Sequence, residues 1–287
     1  MKSRTKNKNN IMVFLFLLPS LALLAVFVLW PMIYSIVLSF YDWSPLKGMS
    51  FLGLDNYKEL FTDKLWWKSI FNTLYYVVLN VPLIICASLA LASLVLHTRF
   101  SKLFRGIFLP TMLSLVATGI VWNYLLSTNN GAVNGLLNAI GLPSVKWFTS
   151  GKVAMISIVI VTVWRWAGYY MVMIIAGMLN VSTQYYEAAS LEGATSWQKF
   201  RYITLPELKT ILIFIALMSI IGSFQEFDLF YMITSGGPGT ATYVTGYYMY
   251  QQAFSSMNMG YSSAMAVFLF VVILFFTIIQ NKVTSDE

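Results

Sequence analysis

Reactive side chains are scarce in this chain. It holds one cysteine, Cys86, and one histidine, His97, in 287 residues. No disulfide can close within it, no cysteine-based metal cluster can form, and His97 has no second His or Cys with which to share a metal ion. Cys86 lies in an apolar run and reads as a small packed residue, and His97 reads as a surface residue at the end of an apolar segment. Charge is also scarce, at 10% of residues, against about 25% in a soluble domain. No G-x-x-x-x-G-K-[S/T] occurs, so the chain cannot cradle ATP phosphates itself. Internal repeats, low-complexity tracts and flexible linkers are missing too.

What is abundant is apolar surface. The chain is 58% hydrophobic and cannot cover itself with polar groups, so a bilayer is the expected solvent. The net charge of +7 does not point to nucleic acid, because the basic residues sit in short runs between apolar segments, as in membrane proteins. Lys2, Arg4, Lys6 and Lys8 precede a run from Ile11 to Trp30. That run is longer than the roughly 7–15 residues of a signal peptide's apolar region, and no convincing Ala-x-Ala site follows, so it reads as an uncleaved first helix.

Six spans can be drawn, at about 11–40, 70–96, 106–127, 152–179, 208–234 and 259–280, by the length criterion of roughly 18 or more apolar residues. The expected fold class is all-α: a polytopic membrane protein with six transmembrane helices. The expected organisation is a cytoplasmic N-terminus (1–10), a first helix with an outer loop (11–69), a core of five helices (70–280) with a cytoplasmic loop at 180–207, and a cytoplasmic C-terminus (281–287). With the N-terminus inside, eleven Lys and Arg fall on inner segments (Lys2, Arg4, Lys6, Lys8, Arg99, Lys102, Arg105, Lys199, Arg201, Lys209, Lys282) and six on outer ones. That bias puts both termini in the cytoplasm. The outer aromatics Tyr41, Trp43, Trp66 and Trp67 fit an interfacial belt.

The loop at 183–206 is the most polar long interruption. Ser182 or Thr183 can cap a short helix running to about Glu192, and Gly193 permits the left-handed turn that ends helices. Thr195 and Gln198 have the spacing of a capping box, and Pro206 suits the first turn of the next span. The expected product is two short helices bent at a glycine and anchored on a membrane helix. Ala188, Ala189, Leu191, Trp197 and Phe200 are too apolar for a freely solvated loop, so they face membrane helices or a partner.

Arg165, Glu226 and Asp228 fall inside expected spans, where a charge costs roughly 2.5–3.5 kcal/mol on insertion scales. An extended Arg165 can approach one of the carboxylates. Either a buried ion pair or a polar cavity accounts for them. Tyr169 lies one turn beyond Arg165, while Ser219, Ser223 and Glu226 recur at three- and four-residue spacing. Gly222 and Ser223 offer a kink point. Aromatic, hydroxyl and carboxylate groups together suit a sugar, although small and hydroxyl residues also serve plain helix packing.

The segment Glu187-Ala188-Ala189, with Gly193, Ile203, Leu205 and Pro206, closely resembles the "EAA" signature of permease subunits of ATP-binding-cassette importers. Glu192 stands where that family often has Asp before the Gly. Leu18-Pro19-Ser20, Trp30-Pro31-Met32-Ile33-Tyr34-Ser35, Gly53-Leu54-Asp55-Asn56-Tyr57 and Thr234-Ser235-Gly236-Gly237-Pro238 extend the resemblance to carbohydrate importers of the maltose and glycerol-phosphate type. The resemblance implies the type I importer permease fold. It makes Glu187, Ala188, Ala189, Leu191, Gly193, Ile203, Leu205 and Pro206 the surface that meets the ATPase, with Glu187 facing a basic residue there. It places Tyr169, Ser219, Ser223 and Glu226 on the substrate path. It also implies a second related permease, two ATPase copies that carry ATP and magnesium, an external sugar-binding protein, and a bacterial cell membrane. The chain itself would hold no cofactor and catalyse no reaction. An ion-coupled secondary transporter using Arg165, Glu226 or Asp228 is the alternative from physics alone, and such proteins usually show an internal repeat.

Overall fold

The structure, a computed structural model, describes residues 2–97 and 113–285. The basic cluster Arg99, Lys102 and Arg105, residues 106–112 of the third expected span, and the side chains of His97 and Lys282 lie outside what is described. The chain forms two compact units, residues 1–63 with 249–272, and residues 64–248 with 273–287.

In the first unit, α1 (Lys2–Leu24) continues through a wide π turn at Ala25–Leu29 into α2 (Trp30–Leu38). Trp30 N–H reaches back to the Ala25 carbonyl. Pro31 follows at once, and a proline ring clashes with the carbonyl four residues earlier. A widened turn just before it is where a helix accommodates such a residue. Val13–Leu38 is long and apolar enough to cross a membrane, and its most apolar window buries nothing against the chain.

After α2 the expectation of an all-α chain needs correcting. Strands β1 (Tyr41–Ser44) and β2 (Gly48–Phe51) pair antiparallel, with Tyr41 opposite Phe51 and Trp43 opposite Met49. The physical reason is local: Tyr41 and Trp43 alternate with Asp42 and Ser44, and Gly48 takes φ +86° at the turn, which an L side chain resists. Helix α3 (Asp55–Thr62) follows. The Asn56 amide donates to the Ser39 and Tyr41 carbonyls at 2.9 and 3.0 Å, so it locks α3 to the end of α2. The last helix, α14 (Met259–Ser285), begins in this unit. Its Tyr261 hydroxyl donates to the Asp63 carboxylate at 2.8 Å.

The second unit is built on α4 (Lys64–His97) packed along α7 (Ala154–Asn180). Between them come α5 (Leu115–Leu125) and α6 (Ala132–Ala139), and after them the short helices α8 (Thr183–Leu191), α9 (Ser196–Lys199) and α10 (Leu205–Glu207), then α11 (Lys209–Gln225), α12 (Asp228–Ile233) and α13 (Thr245–Tyr250). Ile84, Ala92, Val95, Met171, Ile174, Leu208 and Ile215 form one buried cluster. Gly177 lets α11 approach closely, because a Cβ there would run into the ends of Leu208 and Ile211. Small residues at membrane-helix contacts work this way.

A polar row on α4 holds the unit together. Asn72 donates to the Thr240 and Tyr243 carbonyls at 3.0 and 2.8 Å. Thr73 accepts from the Thr245 N–H at 3.0 Å, Tyr76 donates to Thr162 at 3.0 Å, and Asn80 donates to Ser223 at 3.1 Å.

The fifth expected span, 208–234, is not continuous. Helix α11 ends at Gln225, Glu226 is extended with ψ 120°, and α12 restarts at Asp228. Gly222 and Ser223, the kink point the sequence offered, both lie inside α11, before this break. Among the described residues three helices are long and apolar enough to cross a membrane, or four if Ser196–Glu207 and Lys209–Gln225 count as one bent span. The chain turns at Thr234–Pro238, where Gly237 N–H donates to the Thr234 carbonyl at 2.9 Å and the Thr242 hydroxyl donates to the Gly237 carbonyl at 2.7 Å.

Candidate functional site

The polar loop folds as two helical arms bent at Gly193. Helix α8 follows Ser182, whose side chain makes no capping bond. At its other end Gly193 sits at φ +77°. Gly193 N–H donates to the Ser190 carbonyl at 3.1 Å and Ala194 N–H to the Ala189 carbonyl at 2.9 Å. This is the paired bonding of a Schellman stop, which satisfies carbonyls a helix end otherwise leaves bare. The second arm opens on the expected capping box. Gln198 N–H donates to the Thr195 hydroxyl at 3.3 Å, and Thr195 N–H donates back to the Gln198 side-chain oxygen Oε1 at 2.7 Å.

Two side-chain bonds tie the arms together. The Tyr186 and Thr204 hydroxyls are 2.9 Å apart, and the Lys199 ammonium donates to the Ser190 hydroxyl at 2.6 Å. The helical hairpin is therefore held in one bend angle by contacts on both sides of the glycine. Pro206 lies in its own short helix, α10, rather than in the first turn of the span; the chain then turns by 67° into α11. Leu208, at that corner, is fully buried, so the hairpin and α11 share one packed joint.

The outward surface is unusually apolar for a polar loop. Leu191 is 90% exposed and Trp197 69%, with Trp197 stacked on Phe200 at 5.7 Å between ring centres. Glu187 and Ala188 are exposed beside them, Ala189, Ile203 and Leu205 are half-buried, and Pro206 is exposed. A cleft of about 560 Å³ opens between the arms, lined by Ala188, Ala189, Glu192, Lys199, Tyr202 and Pro206 among others. Exposed apolar groups ringed by polar residues mark contact surfaces. Cys86, expected to be packed, is exposed on the wall of a separate apolar groove of about 1030 Å³ that also includes Leu89, Met178 and Phe200. One face of α4 is left uncovered there.

Within the helices, Arg165 is buried and its Nη1 donates to the Thr118 hydroxyl at 3.1 Å. Its guanidinium carbon lies 5.7 Å from the Trp166 ring centre. Neither Glu226 nor Asp228 pairs with it. The reason is the break after Gln225: both carboxylates have left the continuous helix on which an approach was reckoned. Tyr169 is half exposed and packs edge-on against Trp166 and Tyr170 at 5.8 and 5.3 Å. Ser219 and Ser223 are buried instead, with Ser223 accepting from Asn80. Glu226 lies between these environments, half-buried at the end of α11. Asn80, Tyr76 and Thr73 were not singled out in the sequence, yet their four- and three-residue spacing from Ser69 onward carries the helical period that marks a polar face.

Residues 62–285 match the model of the family described as binding-protein-dependent transport system inner membrane component. The chain belongs to that family. Its relatives include the lactose transport system permease protein LacF of Rhizobium radiobacter, 34% identical over 287 residues and covering 97% of this chain and 96% of the relative. The arabinooligosaccharides transport system permease protein AraP of Halalkalibacterium halodurans is 32% identical over 284 residues, with 97% and 89% covered. Among solved structures, a chain of a bacterial ABC transporter that imports the acidic polysaccharide alginate superposes with a TM-score of 0.85 at 23% identity, covering 100% of this chain and 99% of that one. The family's members are multi-pass transport components of the membrane, not enzymes. The mostly helical fold is the permease fold of that importer chain.

Proposed function

We propose that this chain is one permease subunit of an ATP-driven sugar importer, with six spans and both termini in the cytoplasm. It pairs with a second, related permease, with two copies of an ABC ATPase carrying ATP and magnesium, and with an external sugar-binding protein. The names of the relatives support the sugar class. The Lys and Arg bias supports the orientation.

The observation that carries the reading is the stiff helical hairpin joined to α11 through buried Leu208. Closure of the ATPases pushes on the surface of Glu187, Ala188, Ala189 and Leu191, around the bend at Gly193. Ile203, Leu205 and Pro206 pass the push to α11, a lever of about 25 Å for its 17 residues at the helical rise. Ser219, Ser223 and, at its end, Glu226 move with it. With Tyr169 they form the sugar route. Asn80 adds support: its amide oxygen is buried without a partner, the sort of acceptor a sugar hydroxyl satisfies. Arg165, held by Thr118, and Asp228 are polar groups beside that route.

Glu187→Lys reverses the charge offered to the basic ATPase residue while leaving an exposed helix position intact. Uptake is expected to be lost with the protein still in the membrane. Normal uptake by this variant would overturn the docking assignment.

A further inference from the structure

The β-hairpin after the first helix is built two-faced. Tyr41 and Trp43 on β1 face the same way as their partners Phe51 and Met49 on β2, since side chains alternate along a strand. Tyr41 and Phe51 rings meet edge-on at 5.2 Å. Asp42 and Ser50 point to the opposite face. On the apolar side Phe51 is 70% exposed and Met49 47%, and Leu46 at the tip is 83% exposed.

Its depth relative to a bilayer follows from what it hangs on. The Val13–Leu38 span has 26 residues, about 39 Å at the helical rise, against roughly 30 Å of hydrocarbon. The helix therefore emerges into the headgroup region before β1 begins three residues later. A second helix end lies at the same level: Gly260, in the first turn of α14, backs so closely onto the hairpin that a Cβ there would collide with the Tyr41 carbonyl. The hairpin is thus continuous with a surface already in the membrane.

We propose that this hairpin is an interfacial anchor, with Leu46, Met49 and Phe51 seated among lipid headgroups and upper acyl chains. The occupant of its apolar face is lipid. Tyr and Trp side chains favour that depth, because their rings are apolar and their polar atoms remain wet. Lys47 beside Leu46 extends its ammonium toward headgroup phosphates. The proposal rests on the membrane placement of the first span and not on the transported substrate or on which side of the membrane the hairpin lies.

The test uses the assembled transporter in lipid nanodiscs, with Cys86→Ser as background. Leu46→Cys, Met49→Cys, Phe51→Cys, Asp42→Cys and Ser50→Cys are each labelled with a small environment-sensitive fluorophore. Two quenchers are compared: lipids carrying a nitroxide high on the acyl chain, and iodide in the buffer. The first three sites are expected to be quenched several-fold more by nitroxide lipid than Asp42→Cys and Ser50→Cys, and to be shielded from iodide. Iodide access without nitroxide quenching at the three sites would overturn the proposal in favour of a wet surface. Shielding from both quenchers would overturn it in favour of a protein cover, and equal behaviour at Phe51 and Ser50 would remove the two-faced arrangement. Leu46→Cys, at the exposed tip, carries the test if Phe51→Cys fails to assemble.

Discussion

Gly193 offers a quantitative test of how the helical hairpin keeps its bend. The residue sits at φ +77°, and a Cβ placed on it meets nothing within 4 Å. Steric overlap therefore contributes nothing, and replacement is governed by backbone conformation alone. An L residue in the left-handed region costs about 1–2 kcal/mol, and Asn less because its side chain tolerates that conformation. A cost of about 1 kcal/mol raises the ratio of open to bent hairpin roughly five-fold. The direct assay is hydrogen exchange by mass spectrometry on the assembled transporter, read at the Gly193 and Ala194 amides that bond the Ser190 and Ala189 carbonyls. These amides exchange through local opening. Gly193→Ala is expected to accelerate exchange about five-fold, Gly193→Asn less, and Gly193→Val more, since branching at Cβ adds crowding. Wild-type exchange in Gly193→Val would refute the reasoning, because the bend would then not depend on a left-handed residue.

Two further predictions concern orientation and the buried cation. In a Cys86→Ser background, Ser50→Cys is expected to react with an impermeant thiol reagent in intact cells stripped of outer barriers, and Ser196→Cys only after permeabilisation. The reverse pattern contradicts the cytoplasmic placement of the helical hairpin at Gly193. In a double-mutant cycle, Arg165→Met with Thr118→Val is expected to show a coupling of about 0.6 kcal/mol, the usual size between membrane helices, by thermal unfolding of the purified transporter. The Arg165→Met and Glu226→Met cycle is expected to show less, and the opposite ranking contradicts the geometry described.

The parts of this fold that were legible in the sequence are those set by neighbours in the chain. Gly193 and the Thr195–Gln198 box act within a few residues, and each was found in the expected role. Long apolar runs likewise located the Lys64–His97 and Ala154–Asn180 helices. The break after Gln225 was not legible, because Gln225-Glu226-Phe227-Asp228 contains neither Pro nor Gly. At the break another segment packs in: Gly246 lies against the Glu226 carbonyl, where a Cβ would approach to 3.1 Å. The β-hairpin carried a signal in Tyr-Asp-Trp-Ser and the nearby Gly48, but a stretch of four residues is short beside the apolar span before it. Pairing of Arg165 required distances that no one-dimensional spacing supplies across a broken helix. Asn80 and Thr73 were hidden for a related reason. Single polar residues in a long apolar helix reveal their common face only when read against the partners across from them.

The bent helical hairpin is proposed to meet a separate ATPase. A photo-crosslinking amino acid placed at Leu191, which is 90% exposed, tests this in the transporter assembled in its native membrane. Irradiation followed by mass spectrometry of the adduct is expected to identify a polypeptide carrying the G-x-x-x-x-G-K-[S/T] phosphate-binding loop that this chain lacks, with the crosslink in a groove on its surface. Adducts confined to lipid, to this chain or to an external binding protein would contradict the claim.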